Sequence, residues 1–257
     1  MSAENYKSVA NKLKFEGRAY INGKYVDAID GEKFENINPA TGDVLCSVAK
    51  CNHKDVDLAV KVSRKAFESG VWSKTAPEYR KEILLKFAEL LRKHGVENSI
   101  LECVDTGKLI NDCLNEVAND TPMHFQWYAE LIDKTFGKVS ATDPSITSLI
   151  VKEPIGVVAA VVPWNFPLMM AVWKAAPALA AGCSVIIKPA EDTPLSALRI
   201  AQIASEAGIP DGVFNVLPGF GDVGEALGRH NDVDAVSFTG STEVGALFMK
   251  YSGESNL

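Results

Sequence analysis

Residues 157–188 read VVAAVVPWNFPLMMAVWKAAPALAAGCSVIIK. Val157-Val-Ala-Ala-Val-Val162 is a short, mostly β-branched apolar run between Gly156 and Pro163, the pattern of a strand buried on both faces. Residues 168–181 carry helical periodicity. Ser184-Val-Ile-Ile-Lys188 is a second apolar run ending on a charge. Strand, helix and strand in this order predict two parallel strands joined by a crossover helix. The alternation continues with a helix over 196–206 closed by Gly208, a strand over 213–217 and a helix over 223–229. A strand over 235–238 and a helix over 244–251 follow. About four such alternations predict a parallel sheet with helices on both faces, and ligand groups at the carboxyl ends of its strands.

Upstream the pattern differs. The chain starts as a short extended segment and becomes helical. Tyr20-Ile-Asn-Gly-Lys-Tyr-Val26 predicts a hairpin turning at Asn22-Gly23, and Asn38-Pro-Ala-Thr-Gly42 a second turn. Val56, Ala59, Val60, Ser63 and Phe67 share a helical face that Gly70 closes. Thr75-Ala-Pro-Glu78 has capping-box spacing with proline in the first turn. The helix it starts carries Ile83, Leu84, Phe87, Leu90 and Leu91 and stops near Gly95. Helical pattern returns at 100–103 and 122–134. Residues 137–153 alternate hydroxyl and apolar side chains around Pro144, which predicts a polar hairpin. Two exposed strands are marginal alone and need another surface, such as a second subunit.

Over 257 residues, 47% are hydrophobic and 23% charged, which excludes a disordered or collagen-like chain. A net charge of −7 argues against broad binding to nucleic acid or anionic membrane. No apolar signal core lies in 1–15, and no apolar run reaches the roughly 20 residues of a membrane helix. The five cysteines at 46, 51, 103, 113 and 183 form no C-x-x-C pair. They read as reduced thiols of a cytoplasmic protein, with no metal site expected.

The loops at the predicted strand ends hold the chemistry. In Pro163-Trp-Asn-Phe-Pro167 two prolines restrict the backbone around Asn165. The Asn165 carboxamide can donate to an alkoxide formed on a carbonyl, or it can bond its own turn. Lys188-Pro-Ala-Glu191 offers a cation and a carboxylate for the hydroxyls of an adenosine ribose. The same pair can be a surface pair at a helix start. Phe238-Thr-Gly-Ser-Thr-Glu-Val-Gly245 brings a glycine turn to a helix N-terminus. There Ser241, Thr242 and free amides suit a phosphate, or Ser241 is simply a cap. Gly219-Phe-Gly-Asp-Val-Gly224 matches G-x-G-x-x-G but sits late in the series, so it reads as a loop near an adenine edge rather than a pyrophosphate turn. No cysteine has an evident base, and His53, His94, His124 and His230 are scattered.

In this order these loops resemble the NAD-dependent aldehyde dehydrogenase superfamily over nearly the whole chain. Ile21-Asn-Gly, Asn38-Pro-Ala-Thr-Gly42, Asp105-Thr-Gly-Lys108, Pro163-Trp-Asn-Phe-Pro167, Lys188-Pro-Ala-Glu191, Gly219-Phe-Gly221 and Phe238-Thr-Gly-Ser241 carry the likeness. The look is nearest the branch acting on small aliphatic, betaine and γ-glutamyl-aminobutyraldehyde-type substrates. The resemblance implies an α/β fold: a Rossmann-like open parallel sheet with helices on both faces, an amino-terminal helical portion and a protruding β-hairpin. It implies NAD as cofactor and a small-molecule aldehyde as substrate, with Asn165 in the oxyanion hole. Lys188 and Glu191 would hold the adenosine ribose, with Glu191 favouring NAD over NADP. Ser241 would contact the pyrophosphate, flanked by Gly240, Thr242 and Gly245, and Gly221 would lie by the adenine. Pro163 and Trp164 complete the cofactor set. Phe166, Met170 and Trp173 would line the substrate tunnel, beside Lys174.

The same resemblance divides the chain into a discontinuous NAD-binding domain, residues 1–135 and 154–257, and an oligomerisation hairpin, residues 136–153. Family members are longer. Their general-base glutamate, in an E-x-G-G-K segment, and their nucleophilic cysteine, in G-Q-x-C, match nothing in this sequence. The expectation is therefore the cofactor-binding half of an aldehyde-oxidising enzyme, inactive by itself. The rivals are a non-catalytic NAD-binding module and an interaction module that joins a homo-oligomer through the hairpin.

Overall fold

The computed structural model describes residues 3–255; Met1, Ser2, Asn256 and Leu257, which fall within the expected domain bounds, lie outside the described residues. The chain begins with α1 (Ala3–Ala10), where an extended start was expected. It continues through β1 (Ala19–Ile21), β2 (Lys24–Val26), β3 (Lys33–Ile37) and β4 (Val44–Ala49). Helices α2 (His53–Ser69), α3 (Pro77–Lys93), α4 (Gly95–Thr106) and α5 (Ile110–Cys113) follow, then a π-helical stretch (Leu114–Asp120) and α6 (Thr121–Leu131). The hairpin β5 (Lys138–Ser140) and β6 (Ser148–Ile150) precedes the alternating part: β7 (Val157–Val161), α7 (Pro167–Ala181), β8 (Ser184–Lys188) and α8 (Leu195–Ala207). The series ends with β9 (Phe214–Val216), α9 (Gly221–Arg229), β10 (Ala235–Phe238) and α10 (Thr242–Glu254).

The main sheet has the order β10-β7-β8-β9-β1-β2. Its first four strands are parallel. The hairpin β1–β2 joins antiparallel through Tyr20 opposite Val216. The hairpin was expected, but not its place in the sheet. One pairing near the hairpin end carries no pattern that a sequence window can see.

Alternate side chains of the strands feed two cores, as a period of two requires. Ala160, Val185, Ile187 and Val216 face α3, α6, α7 and α8 through Leu84, Phe87, Phe125, Leu179 and Leu198. Val157, Ala159 and Ile186 face α2 and α9 through Val56, Val60, Val223 and Leu227. The chain runs β7, β8, β9 in one direction with α7 and α8 on one face. It then returns to the far side of β7 with α9 on the other. The strand order therefore reverses between β7 and β10, where α/β sheets open a crevice.

Local chemistry explains most boundaries. Asn22 and Gly23 both take positive φ, 53° and 78°, in the two-residue hairpin turn. The α2 helix is capped by Asn52 and Asp55 in a reciprocal box and closed by Gly70 at φ 81°. The expected box at Thr75 does not form. The N-cap position falls on Ala76 with Pro77 next, and the Thr75 hydroxyl donates instead to Trp72 O at 2.7 Å.

The hairpin 136–153 stands away from both cores. Val139, Leu149, Ile150 and Val151 are each more than half exposed.

Asn215 ties the added hairpin to the sheet. It is fully buried. Its Oδ1 accepts from Asn22 N at 2.9 Å, and its Nδ2 donates to Ser63 Oγ at 2.9 Å and Gly212 O at 2.8 Å. Asn215→Ala leaves two buried partners, Ser63 and Gly212, and the Asn22 amide unmatched and is expected to lower unfolding free energy by about 2–4 kcal/mol. A urea melt read by far-UV circular dichroism checks this; an unchanged midpoint contradicts it.

Candidate functional site

The site loops start from one line. Val161 is in register with both Lys188 of β8 and Phe238 of β10. Val162 N donates to Lys188 O at 3.1 Å, and Thr239 N to Val161 O at 3.1 Å. The loops after β10, β7 and β8, which carry Ser241, Asn165 and Glu191, are therefore neighbours along the carboxyl edge.

Two clefts open there. The first, about 440 Å³, is lined by Trp164, Glu191, Asp192 and Thr193 together with Phe34, Asn36, Ile37 and Phe220. The second, about 620 Å³, surrounds the start of α10 and is lined by Gly240, Ser241, Thr242, Gly245 and Met249. The β7 loop lies between them. Asn165 is carried on that loop.

Lys188 is buried at 5% exposure, and its Nζ lies 3.2 Å from Glu191 Oε2. Burial pushes the Lys188 amine below its usual range, with the Glu191 charge opposing that shift. Glu191 sits on the cleft rim, four residues before α8 begins. A surface pair at a helix start does not describe this arrangement, because the amine is buried and the carboxylate lies outside the helix. A carboxylate beside an ammonium suits a vicinal diol, whose hydroxyls donate to one and accept from the other.

At the second cleft Ser241 caps α10: its Oγ accepts from Val244 N at 3.2 Å. The capping alternative is thus realised. It does not exclude an anion, since the Ser241 O–H and first-turn amides still face outward.

Asn165 is exposed. Among the described residues no partner holds its carboxamide, so the self-bonded turn is not formed. Phe166 lies under Lys108, whose Nζ is 3.8 Å from the ring centroid. Met170 packs against the core. Trp173 is half-exposed and meets His124 at 5.7 Å. With Phe166 these side chains form an open wall. Lys174 reaches from α7 to the β10 loop, donating to Thr239 Oγ1 at 2.6 Å. Pro163, half-buried, starts the β7 loop.

Gly221 is the first residue of α9 and lines neither cleft; its neighbour Phe220 does, against Phe34 at 5.0 Å. The G-x-G-x-x-G match has a packing cause. Gly219 has φ 152°, and a Cβ there would meet Val223 Cγ2 at 2.6 Å and Cys51 O at 3.0 Å.

Sequence reasoning missed Phe34 and Asn36 on the β3 side of the first cleft and the acid Glu102 beneath it, and it quoted Asp105 without its place under the loops. Glu102 and Asp105, one turn apart on α4, are both buried. Asp105 Oδ2 accepts from Leu195 N at 3.0 Å and its Oδ1 from Asn36 Nδ2 at 2.9 Å. Burial pushes both acids up to about 7. The usable signal was two carboxylates at i and i+3 within an otherwise apolar helical stretch.

Among the described residues none of the five cysteines hydrogen-bonds a base. Burial pushes the Cys46 and Cys51 thiols up. Cys103 is held by Cys113 and donates to Lys108 O at 3.0 Å.

The aldehyde dehydrogenase family model matches residues 25–257. The chain is 50% identical to aminoacetaldehyde dehydrogenase of Pseudomonas aeruginosa, covering 100% of this chain and 52% of that protein. It is 47% identical to the NADP/NAD-dependent aldehyde dehydrogenase PuuC of Escherichia coli, covering 98% and 51%. Its fold matches a mutant of the indole-3-acetaldehyde dehydrogenase AldA of P. syringae, in complex with NAD+ and IAA. The TM-score is 0.98 at 49% identity, over 100% of this chain and 52% of that one. The chain spans about half the length of the curated relatives it matches.

The raised pKa of Asp105 has a signed consequence. Between the usual value of 3.8 and about 7 the folded state holds a proton that the unfolded state has released. Its contribution to stability is therefore full below pH 3.8 and lost as pH rises toward 7. Across pH 4.5 to 7.5 the thermal midpoint of the wild type is expected to fall relative to that of Asp105→Asn. Parallel curves in scanning calorimetry contradict this.

Proposed function

The chain belongs to the aldehyde dehydrogenase family, and from that premise we propose that residues 3–255 form the NAD-binding half of an enzyme oxidising an aldehyde to a carboxylic acid. The observation that carries the reading is the Lys188–Glu191 pair on a cleft one strand away from Asn165 and two from the α10 N-terminus. In this reading Lys188 and Glu191 hold the adenosine ribose, and Trp164 and Phe220 wall the base side. Ser241, Thr242 and the first amides of α10 receive the pyrophosphate, with Gly240 and Gly245 beside them. The unpaired Asn165 carboxamide donates to oxygen charge on the aldehyde carbon.

The bound dinucleotide would supply hydride acceptance, a chemistry no side chain offers. The Glu191 carboxylate repels a 2′-phosphate, which favours NAD over NADP. The fit rests on the donor set: a buried ammonium whose one carboxylate partner sits at the rim has N–H groups left for a diol. Phe166, Met170 and Trp173 form the aldehyde side. The hairpin 136–153, with its exposed valines and isoleucines, makes the contact between subunits.

A thiolate must attack the aldehyde carbon before hydride can leave. No cysteine of this chain stands beside Asn165 with a base, so the 257-residue polypeptide alone is expected to produce no NADH from any aldehyde. Calorimetric titration tests the cofactor role. Wild type is expected to bind NAD more tightly than NADP, and Glu191→Lys to weaken NAD by about tenfold or more. No binding of either nucleotide to a folded wild type refutes the reading. NADH formation by the purified chain refutes its inactivity.

A further inference from the structure

The carboxyl-terminal end of α4, whose Asp105 and Thr106 line the first cleft, and Lys108 just after it grip the β7 loop. Glu102 is fully buried, and its Oε2 accepts from Leu168 N at 3.2 Å. Leu168 is the second residue of α7. Pro167 before it has no N–H, so Leu168 supplies the first unpaired amide of that helix. On the other side of Asn165, the Thr193 hydroxyl donates to Trp164 O at 3.4 Å. Between these points Lys108, paired with Glu116, lies over the Phe166 ring. The β7 loop is thus fastened at residues 164, 166 and 168, while Asn165 keeps a free carboxamide.

We infer that Glu102 is a positioning residue for the 163–167 loop and that Lys108 is its second clamp. Together they fix the turn that aims Asn165 and presents the loop to a dinucleotide crossing between the clefts. Glu102 contacts no ligand. It acts by ending the conformational freedom of α7's first turn, and an N-terminal carboxylate also matches the helix dipole. A preorganised loop binds more tightly because its ordering cost is already met. The inference rests on the NAD reading above.

The test titrates the 257-residue chain with NAD and separately with AMP. Glu102→Met removes neither the Thr193–Trp164 bond nor the Lys188–Glu191 pair, which frame the AMP region. Glu102→Met keeps the volume and removes the acceptor. It is expected to weaken NAD about tenfold while AMP stays within about twofold. Glu102→Gln, whose carbonyl still accepts from Leu168 N, is expected to restore NAD binding. Lys108→Met, which leaves α4 intact, is expected to weaken NAD selectively in the same way. Unchanged NAD affinity in Glu102→Met overturns the inference. So does a parallel loss of NAD and AMP that tracks a lowered melting temperature, which marks a merely structural role. A folded wild type that binds neither probe overturns the nucleotide reading itself, and this inference with it.

Discussion

One line of register, Phe238 beside Val161 beside Lys188, sets everything functional in this molecule. Parallel strands have no side-chain pattern that forbids a slip along their length when both faces are buried. What holds them is the packing of two cores on alternating residues. Ile186 faces α2 while Val185 and Ile187 face α7 and α8. A slip of one residue would exchange these faces and turn the Lys188 amine away from Glu191. The charge at the strand's end therefore serves the register as well as the loop that follows it.

The second constraint lies beneath the loops. Burying two carboxylates on one helix is costly, and a pair one turn apart costs more because each charge disfavours the other. The structure offsets this with helix N-termini. Glu102 meets the first free amide of α7 and Asp105 that of α8, each at the end of the helix dipole that favours a negative charge. α7 and α8 are the helices that follow the two central loops. One buried face of α4 thus settles where both loops end, which an apolar α4 of the same shape could not do.

How much of this was legible follows from which interactions are local. Strand 184–188 matches β8 residue for residue, and 235–238 matches β10, because short apolar runs between turn residues depend on neighbours in sequence. The Asn22-Gly23 turn and the Gly70 and Gly208 stops were legible for the same reason. What failed was nonlocal or competitive. The β1–β9 pairing rests on one pair of residues and on Asn215 reaching Asn22 across 193 positions. Thr75 had a nearer carbonyl to bond than the amide a capping box requires. The π-helical turn at 114–120 has no distinct periodicity over so few residues. At the site, the loops after β7, β8 and β10 were placed correctly because strand ends mark them. Phe34 and Asn36 were missed because β3 meets the cleft only through tertiary folding.

The glycines show the same division between local and distant causes. Gly219-Phe-Gly-Asp-Val-Gly224 spells a dinucleotide fingerprint, yet its first glycine is required by Val223 and the Cys51 carbonyl. Gly228, outside the motif, has a clearer packing role. A Cβ there would stand 3.0 Å from the rings of Phe248 and Tyr251, which α10 lays against α9. These contacts bring α10 close to the sheet and hold its N-terminus at the carboxyl edge, beside the β7 loop. The helix N-terminus proposed to receive the phosphates thus sits one crossover later than the motif points. It depends on a helix packed through a glycine no fingerprint contains, and a spacing rule reads a backbone's freedom without seeing what fills the space beside it.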